Sequence, residues 1–244
     1  YDLGLGSVLR GPKTPTQYEV YAQKWADLTS EDGTCGVSIL NDSKYGWDFP
    51  SQNRLRLTLL HTPSVTDRYL YQARQDLGHH SFTYSIISHE GDFVKAGTVQ
   101  AAESLNQPVK AYTVSTNHPG TLGKSFTLAS VDNANVVLKA FKKAEDGSGY
   151  VVRFYETSGK ASKASISFAK AITSAAELNG NETRIGDASF EGKTLSFDIP
   201  AFGIKTFEVN FDIVASPAIV SKQVALEYNF RSATFNAFRD EANC

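Results

Sequence analysis

The sequence has no methionine, only two cysteines, no long apolar run and no excess of either charge. Each lack excludes something. With Cys35 and Cys244 alone, a disulfide framework is not what stabilises the fold. Cys35 lies in a β-like apolar run and reads as a buried structural thiol. A membrane helix needs about 20 apolar residues in a row, and no such run occurs. The start, Tyr1-Asp2-Leu3-Gly4, lacks the basic-then-apolar pattern of a signal peptide. Lys and Arg number 24 against 26 Asp and Glu, a net charge of −2. That balance leaves no electrostatic footprint for nucleic acid or for an anionic membrane surface, so neither is expected as a partner. A first residue Tyr1 and the missing methionine together suggest a soluble piece of a longer protein.

What is present is a foldable, strand-rich chain. Hydrophobic residues make up 41% and charged residues 20%, which permits a packed core. A length of 244 residues suits one large β domain or two smaller ones. Arg54 to Leu59 alternates cleanly, leucines on one face and polar groups on the other. Tyr18 to Trp25, Gly36 to Leu40, Ser81 to Ile87, Ser125 to Leu128 and Asn135 to Phe141 also read as strands. So do Tyr150 to Tyr155, Ala164 to Phe168, Leu195 to Ile199, Lys205 to Phe211 and Val224 to Asn229. Turn signals such as Asp32-Gly33, His118-Pro119-Gly120, Asp146-Gly147 and Glu191-Gly192 separate them. Val99 to Leu105 is the one short helix expected. Many short strands with regular turns indicate stacked antiparallel sheets, and the missing βαβ alternation argues against a barrel. The organisation expected is a β-sandwich domain over 1–145, a small sandwich lobe over 146–212 and a linker with the start of a further segment over 213–244.

Motifs for self-contained catalysis are scarce. No nucleophile elbow, phosphate-binding glycine loop or zincin helix occurs. His79-His80, followed by His89, is the one histidine cluster. On a strand, His79 and His80 point to opposite faces and cannot share a metal, so one packed and one exposed histidine is the preferred reading. Glycoside hydrolysis needs two carboxylates about 5–10 Å apart, which 26 acidic residues always supply on paper. Asp42, Asp48 and Asp76 stand out near aromatic turns, although Asp76-Leu77-Gly78 reads as a turn former. The segment Asn41 to Asp48 packs two aromatics, a cation and two carboxylates around Gly46. Aromatic faces stack on sugar C–H surfaces while polar neighbours bond hydroxyls. The plainer reading is a hairpin whose Tyr45 and Trp47 cover the core, and the residues alone favour it.

The same segments carry a family resemblance. Gln23 to Thr29, Gly36 to Asp48 and Leu55 to Leu60 resemble the C-terminal half of α-mannosidases of glycoside hydrolase family 38. Asp76-Leu77-Gly78-His79-His80-Ser81-Phe82-Thr83-Tyr84, then His89 and Gly91, is similar to that family's D-x-G-x-H-x-F-x-Y stretch. Lys143 to Asp146, Val152 to Gly159 and Ile199 to Phe207 follow in the family's order and spacing. The likeness covers residues 15 to 212 and is strongest to the branch with cytosolic, vacuolar and bacterial members. Gln23-Lys24 replace the usual His-Arg, His61 an Arg, and Ser88 a Pro.

The resemblance implies a galactose-mutarotase-like supersandwich followed by a smaller β lobe. It implies a parent enzyme that is a retaining exo-α-mannosidase acting on mannose-containing glycans. Its zinc and nucleophile would lie in an N-terminal catalytic domain, which becomes this chain's expected partner. No cofactor and no catalytic residue is expected in the chain itself. Loops of the β region contribute to the active-site rim in that family. Asp42, Lys44, Tyr45 and Trp47 are therefore the rim candidates, Lys44 as the cation and Tyr45 or Trp47 as a sugar platform. His79 and His80 are second-rank candidates. An autonomous carbohydrate-binding module is the alternative, and an epimerase complete on this fold would need His79 or His80 opposite a carboxylate.

Overall fold

The structure, a computed structural model, describes residues 1–62, 76–114 and 122–213. Along the chain come β1 (Val20–Tyr21), β2 (Trp25–Thr29), β3 (Cys35–Asn41), β4 (Gly46–Ser51), β5 (Arg54–Leu57) and β6 (Tyr84–Glu90). The helix α1 (Thr98–Asn106) follows, then β7 (Ala129–Val131), β8 (Val136–Lys143), β9 (Tyr150–Glu156) and β10 (Ser162–Phe168). The last strands are β11 (Ile172–Leu178), β12 (Arg184–Asp187), β13 (Ser189–Glu191), β14 (Thr194–Ile199) and β15 (Ile204–Phe211). The fold is mainly β, as the alternation predicts.

In the first lobe the sheet β2-β3-β6 is the middle layer. Antiparallel register sets Trp25 opposite Leu40 and Ser38 opposite Ile87 on one face. That face packs on α1 through Trp25, Leu40, Val99 and Ala102, with Ile87 and Phe93 against them. Trp25 and Phe93 stack with ring centres 5.0 Å apart. The opposite face meets the sheet β1-β4-β5, where Ala22, Ala26 and Trp47 are buried with Ile39, Leu55 and Leu57 around them.

The second lobe is a sandwich of a five-stranded sheet, β12-β11-β15-β9-β8, on a four-stranded one, β13-β14-β10-β7. Period-two alternation sends Val152, Phe154, Phe207 and Val209 inward from one sheet and Ala164, Ile166, Phe168, Leu195 and Ile199 from the other. Each such fully buried large side chain contributes on the order of 1.5–3 kcal/mol. Glu103 of α1 ties the lobes together: one carboxylate oxygen lies 2.6 Å from Lys24 Nζ and the other 3.5 Å from Lys139 Nζ on β8.

Several expectations shift. The boundary at 145/146 falls inside the second lobe, because β8 and β9 are partners joined across the Ala144–Gly149 turn and β7 pairs with β10. Strand pairing across the EDGSG turn outweighs its look as a linker. The second lobe therefore starts near Ala129. Tyr18 to Trp25 is interrupted at Ala22 to Lys24, where Asp2 takes the backbone bonds. The Ser125 to Leu128 strand does not form there; pairing begins at Ala129. β6 starts at Tyr84, so His79 and His80 precede the strand rather than alternate along it. Cys35, read as buried, is exposed at the outer end of β3, beside the Ser30–Gly33 turn. The strand expected at Val224 to Asn229, His118 and all of 213–244 except Ile213 lie outside the described residues.

Candidate functional site

The loop joining β3 to β4 is built by Asn41. Its side chain is buried, donates to Gln23 O at 2.9 Å and accepts the amides of Ser43 and Lys44 at 3.1 and 2.6 Å. This is the Asx geometry that turns a chain without a glycine. Asn106 of α1 donates to the Asn41 carbonyl at 3.0 Å, fixing the loop to the helix.

Asp42 is exposed, and its carboxylate accepts the Thr83 amide at 2.9 Å and the Ser43 hydroxyl at 2.8 Å. The Thr83 amide bond, ahead of the opposing effect of slight burial, holds its pKa below the usual carboxylate range. Asp42 thus clamps the chain entering β6 against this loop. Lys44 Nζ sits 4.8 Å from the centre of the Phe82 ring, a cation–π contact. Tyr45 is half exposed and its ring centre lies 6.2 Å from that of half-exposed Tyr21, the planes inclined by 31°. A Cβ at Gly46 would come within 2.4 Å of Glu19 Oε1, so that side chain packs against the glycine and would have to swing aside for a larger residue.

Trp47 does not share this surface. It is fully buried, donates its indole N–H to Ala22 O at 3.3 Å and lies edge-on to Tyr1. The expectation of Trp47 as a sugar platform is corrected on that ground: both ring faces are covered by the core. Asp48 is spent on Arg56, whose guanidinium binds both carboxylate oxygens and lowers the acid's pKa.

His79 and His80 are both exposed, and His80 Nε2 lies 2.9 Å from the Asp76 carbonyl, within the turn. Asp76 accepts the His61 amide at 2.9 Å, as a turn former does. The structure brings together Asp42, Lys44 and Tyr45; Trp47 serves the core, His80 the Asp76 turn, and His79 is exposed. Sequence reading misses Tyr21 and Phe82, which join the loop from positions 20 or more residues away in sequence.

A cleft of about 1010 Å³ lies elsewhere, lined by Trp25, Asp27, Glu31, Asp32, Asp92 and Phe202 among others. Its carboxylates are engaged in local structure. Asp27 holds His89, Asp32 caps its turn through Ser30 and Thr34, Glu31 accepts from Gln52, and Asp92 accepts the Lys95 amide. Among the described residues, no three His, Cys, Asp or Glu side chains converge as a metal site. No helix there is long and apolar enough to cross a membrane.

Comparison with known proteins gives a consistent picture. The family model described as the glycosyl hydrolases family 38 C-terminal domain matches residues 7–69. The family 38 C-terminal beta sandwich domain matches residues 135–207, inside the second lobe. Human alpha-mannosidase 2C1 is 40% identical over 146 residues, 59% of this chain and 13% of its own. Alpha-mannosidase G of Dictyostelium discoideum is 33% identical over 200 residues, 78% of this chain and 17% of its own. This chain thus spans less than a fifth of the length of these relatives. The crystal structure of an alpha-mannosidase from Enterococcus faecalis V583 superposes with a TM-score of 0.67 at 18% identity, over 84% of this chain and 23% of that one. The fold agrees and the two models match in order, one on each lobe, so the chain belongs to glycosyl hydrolase family 38, as its C-terminal β region.

Proposed function

We propose that this chain is the non-catalytic C-terminal part of a retaining exo-α-mannosidase, which removes terminal α-mannose from glycans. The carrying observation is the pair of family matches, both to C-terminal β domains, with relatives that are themselves named alpha-mannosidases. Among the described residues, the carboxylates of the large cleft are each engaged in local hydrogen bonds. Zinc and the nucleophile then belong to the N-terminal domain, the chain's partner. The Asp42 to Tyr45 loop supplies the rim: Asp42 fixes the loop, Lys44 presents a cation and Tyr45 an apolar ring toward the sugar.

Hydrolysis of an aryl α-mannoside tests this. The 244-residue chain alone should show none, while the full-length parent with zinc should be active. Lys44→Ala in the parent should lower kcat/KM about tenfold, the equivalent of one lost charged contact. Its thermal midpoint should move little, since an exposed cation–π contact contributes only about 0.5–1 kcal/mol. Turnover by the isolated chain would refute the reading, and unchanged kinetics for Lys44→Ala would remove the loop from the rim.

The Tyr21–Tyr45 pair favours a second reading, a carbohydrate-binding module that works without the rest of the enzyme. It requires the isolated chain to bind a mannose oligosaccharide in titration calorimetry, with binding lost in Tyr45→Ala.

A further inference from the structure

We propose that the outer face and free edge of the β2-β3-β6 sheet receive polypeptide that precedes residue 1 in the full-length protein. The proposal rests on the reading above, in which this chain is the C-terminal part of a longer enzyme. It identifies the surface by which the two parts join.

The observations start with β6. Its residues alternate, with Ser85, Ile87 and His89 turned to the covered face and Tyr84, Ile86 and Ser88 to the open one. Ile86 is 64% exposed and Tyr84 53%. Antiparallel register sets Ile86 beside Ile39 and, on the same face, Val37 beside Leu28 of β2 and Ser88 of β6. Val37 is 40% exposed. The β1-β4-β5 sheet therefore covers Ala26 and Ile39 and stops short of Val37, Ile86 and Tyr84.

The edge of β6 away from β3 has no strand partner among the described residues. Tyr84 to Ser88 contains no charge, proline or glycine. Free edges in soluble proteins are blunted by charge, proline or bulges, because an open ladder recruits another strand. An uncharged edge next to an exposed apolar face is the signature of a surface that is covered in use.

Two features select the preceding chain as the occupant. The relatives carry more than four-fifths of their length outside the matched region, and the matching domains are C-terminal ones. Residue 2 is also bonded to this same sheet. Asp2 donates its amide to Trp25 O and accepts that of Gln23, both at 3.0 Å, at the far edge of this same sheet. Residues immediately before Tyr1 are delivered beside β2 and Trp47, within the same layered lobe.

The test uses Cys35, which shares the open face with Val37. In a Cys244→Ser background, maleimide labelling of Cys35 is followed by peptide mass spectrometry in the 244-residue chain and in the full-length protein. Labelling should be at least about tenfold slower in the full-length protein, and Ile86→Lys should restore the fast rate there. In the 244-residue chain Ile86→Lys should shift the thermal midpoint by no more than about 2 °C, as expected of an exposed site. Equal labelling in both proteins would overturn the proposal. So would protection in the short chain that grows with its concentration, which would assign the face to a second copy. Aryl α-mannoside turnover by the unmodified full-length protein reads the functional assignment separately, so the failure of one is distinguishable from the failure of the other.

Discussion

Glu156→Ala is expected to lower the stability of the second lobe by about 3–5 kcal/mol in denaturant titration. Glu156 ends β9, is fully buried and collects four donors. One carboxylate oxygen accepts the Ser158 amide at 2.6 Å and its hydroxyl; the other accepts the amides of Gly159 and Phe202 at 2.8 and 2.9 Å. These bonds hold two turns together, one with Gly159 at φ 73° and one with Phe202 at φ 51°. The Phe202 ring lies where a Cβ on Gly159 would be. Truncation would leave three backbone N–H groups in a dry place without acceptors, each costing about 1–3 kcal/mol. Glu156→Gln keeps the shape but points its NH2 at donors on one side, so it should lose about half as much. The charge also has a pH signature. Burial alone would raise the Glu156 pKa, but the bonds from Ser158, Phe202 and Gly159 outweigh it and hold the group below the usual glutamate range. A depressed folded-state pKa gives stability that is present above the unfolded value and lost as pH falls through the folded one. The gap between wild type and Glu156→Gln should therefore be constant near neutrality and shrink in acid below the ordinary glutamate range. A gap independent of pH would show that the carboxylate charge is not what holds the turns.

The same contact explains what a sequence can and cannot disclose here. Val152 to Gly159 and Ile199 to Phe207 stand out as motifs, yet nothing in either segment says that they touch. The Glu156–Phe202 bond makes them one device. Strands were legible wherever one face is buried, because burial imposes period two; Leu55 and Leu57 of β5 and Ile166 and Phe168 of β10 are examples. Edge and short strands such as β12 and β13 carry little of that pattern, since most of their side chains meet solvent. A linker near 145 is what the sequence suggests, because a six-residue turn and a linker have the same composition, and only strand pairing tells them apart. In the site, the aromatic loop was visible as composition. The division of its two aromatics was not: Tyr45 and Trp47 lie two apart around Gly46, and the depth of the neighbouring Ala22 and Ala26 decides that the indole goes inward. Tyr21 and Phe82 are contributed by distant segments and leave no local signal.

Asp27→Ala should cost about 3–5 kcal/mol, because it leaves the buried donors of His89, Ser38 and Thr29 without their acceptor. Asp27 and His89 are 6% and 5% exposed at their side chains, with Oδ2 and Nε2 2.7 Å apart. The same oxygen accepts the Ser38 hydroxyl at 2.7 Å, and the other accepts that of Thr29 at 2.6 Å. Because Ser38 spends its proton on Asp27, Thr98 at the start of α1 must donate to Ser38 across 2.7 Å. One carboxylate therefore organises β2, β3, β6 and the helix. Nothing in that layer fits unless residue 36 lacks a side chain, since a Cβ there would lie 2.4 Å from His89 Cε1. Gly36 at the head of the Gly36 to Leu40 run reads from sequence as a strand boundary, and in the structure it is the space the imidazole occupies. Gly36→Ala should displace His89 and forfeit part of the same network. If the network acts as a unit, the double variant should lose less than the sum of the single ones, with a coupling of about 0.5–3 kcal/mol. Strict additivity in a double-mutant cycle would mean that His89 and Asp27 stabilise the lobe independently, and that the glycine serves strand packing rather than the Asp27–His89 contact.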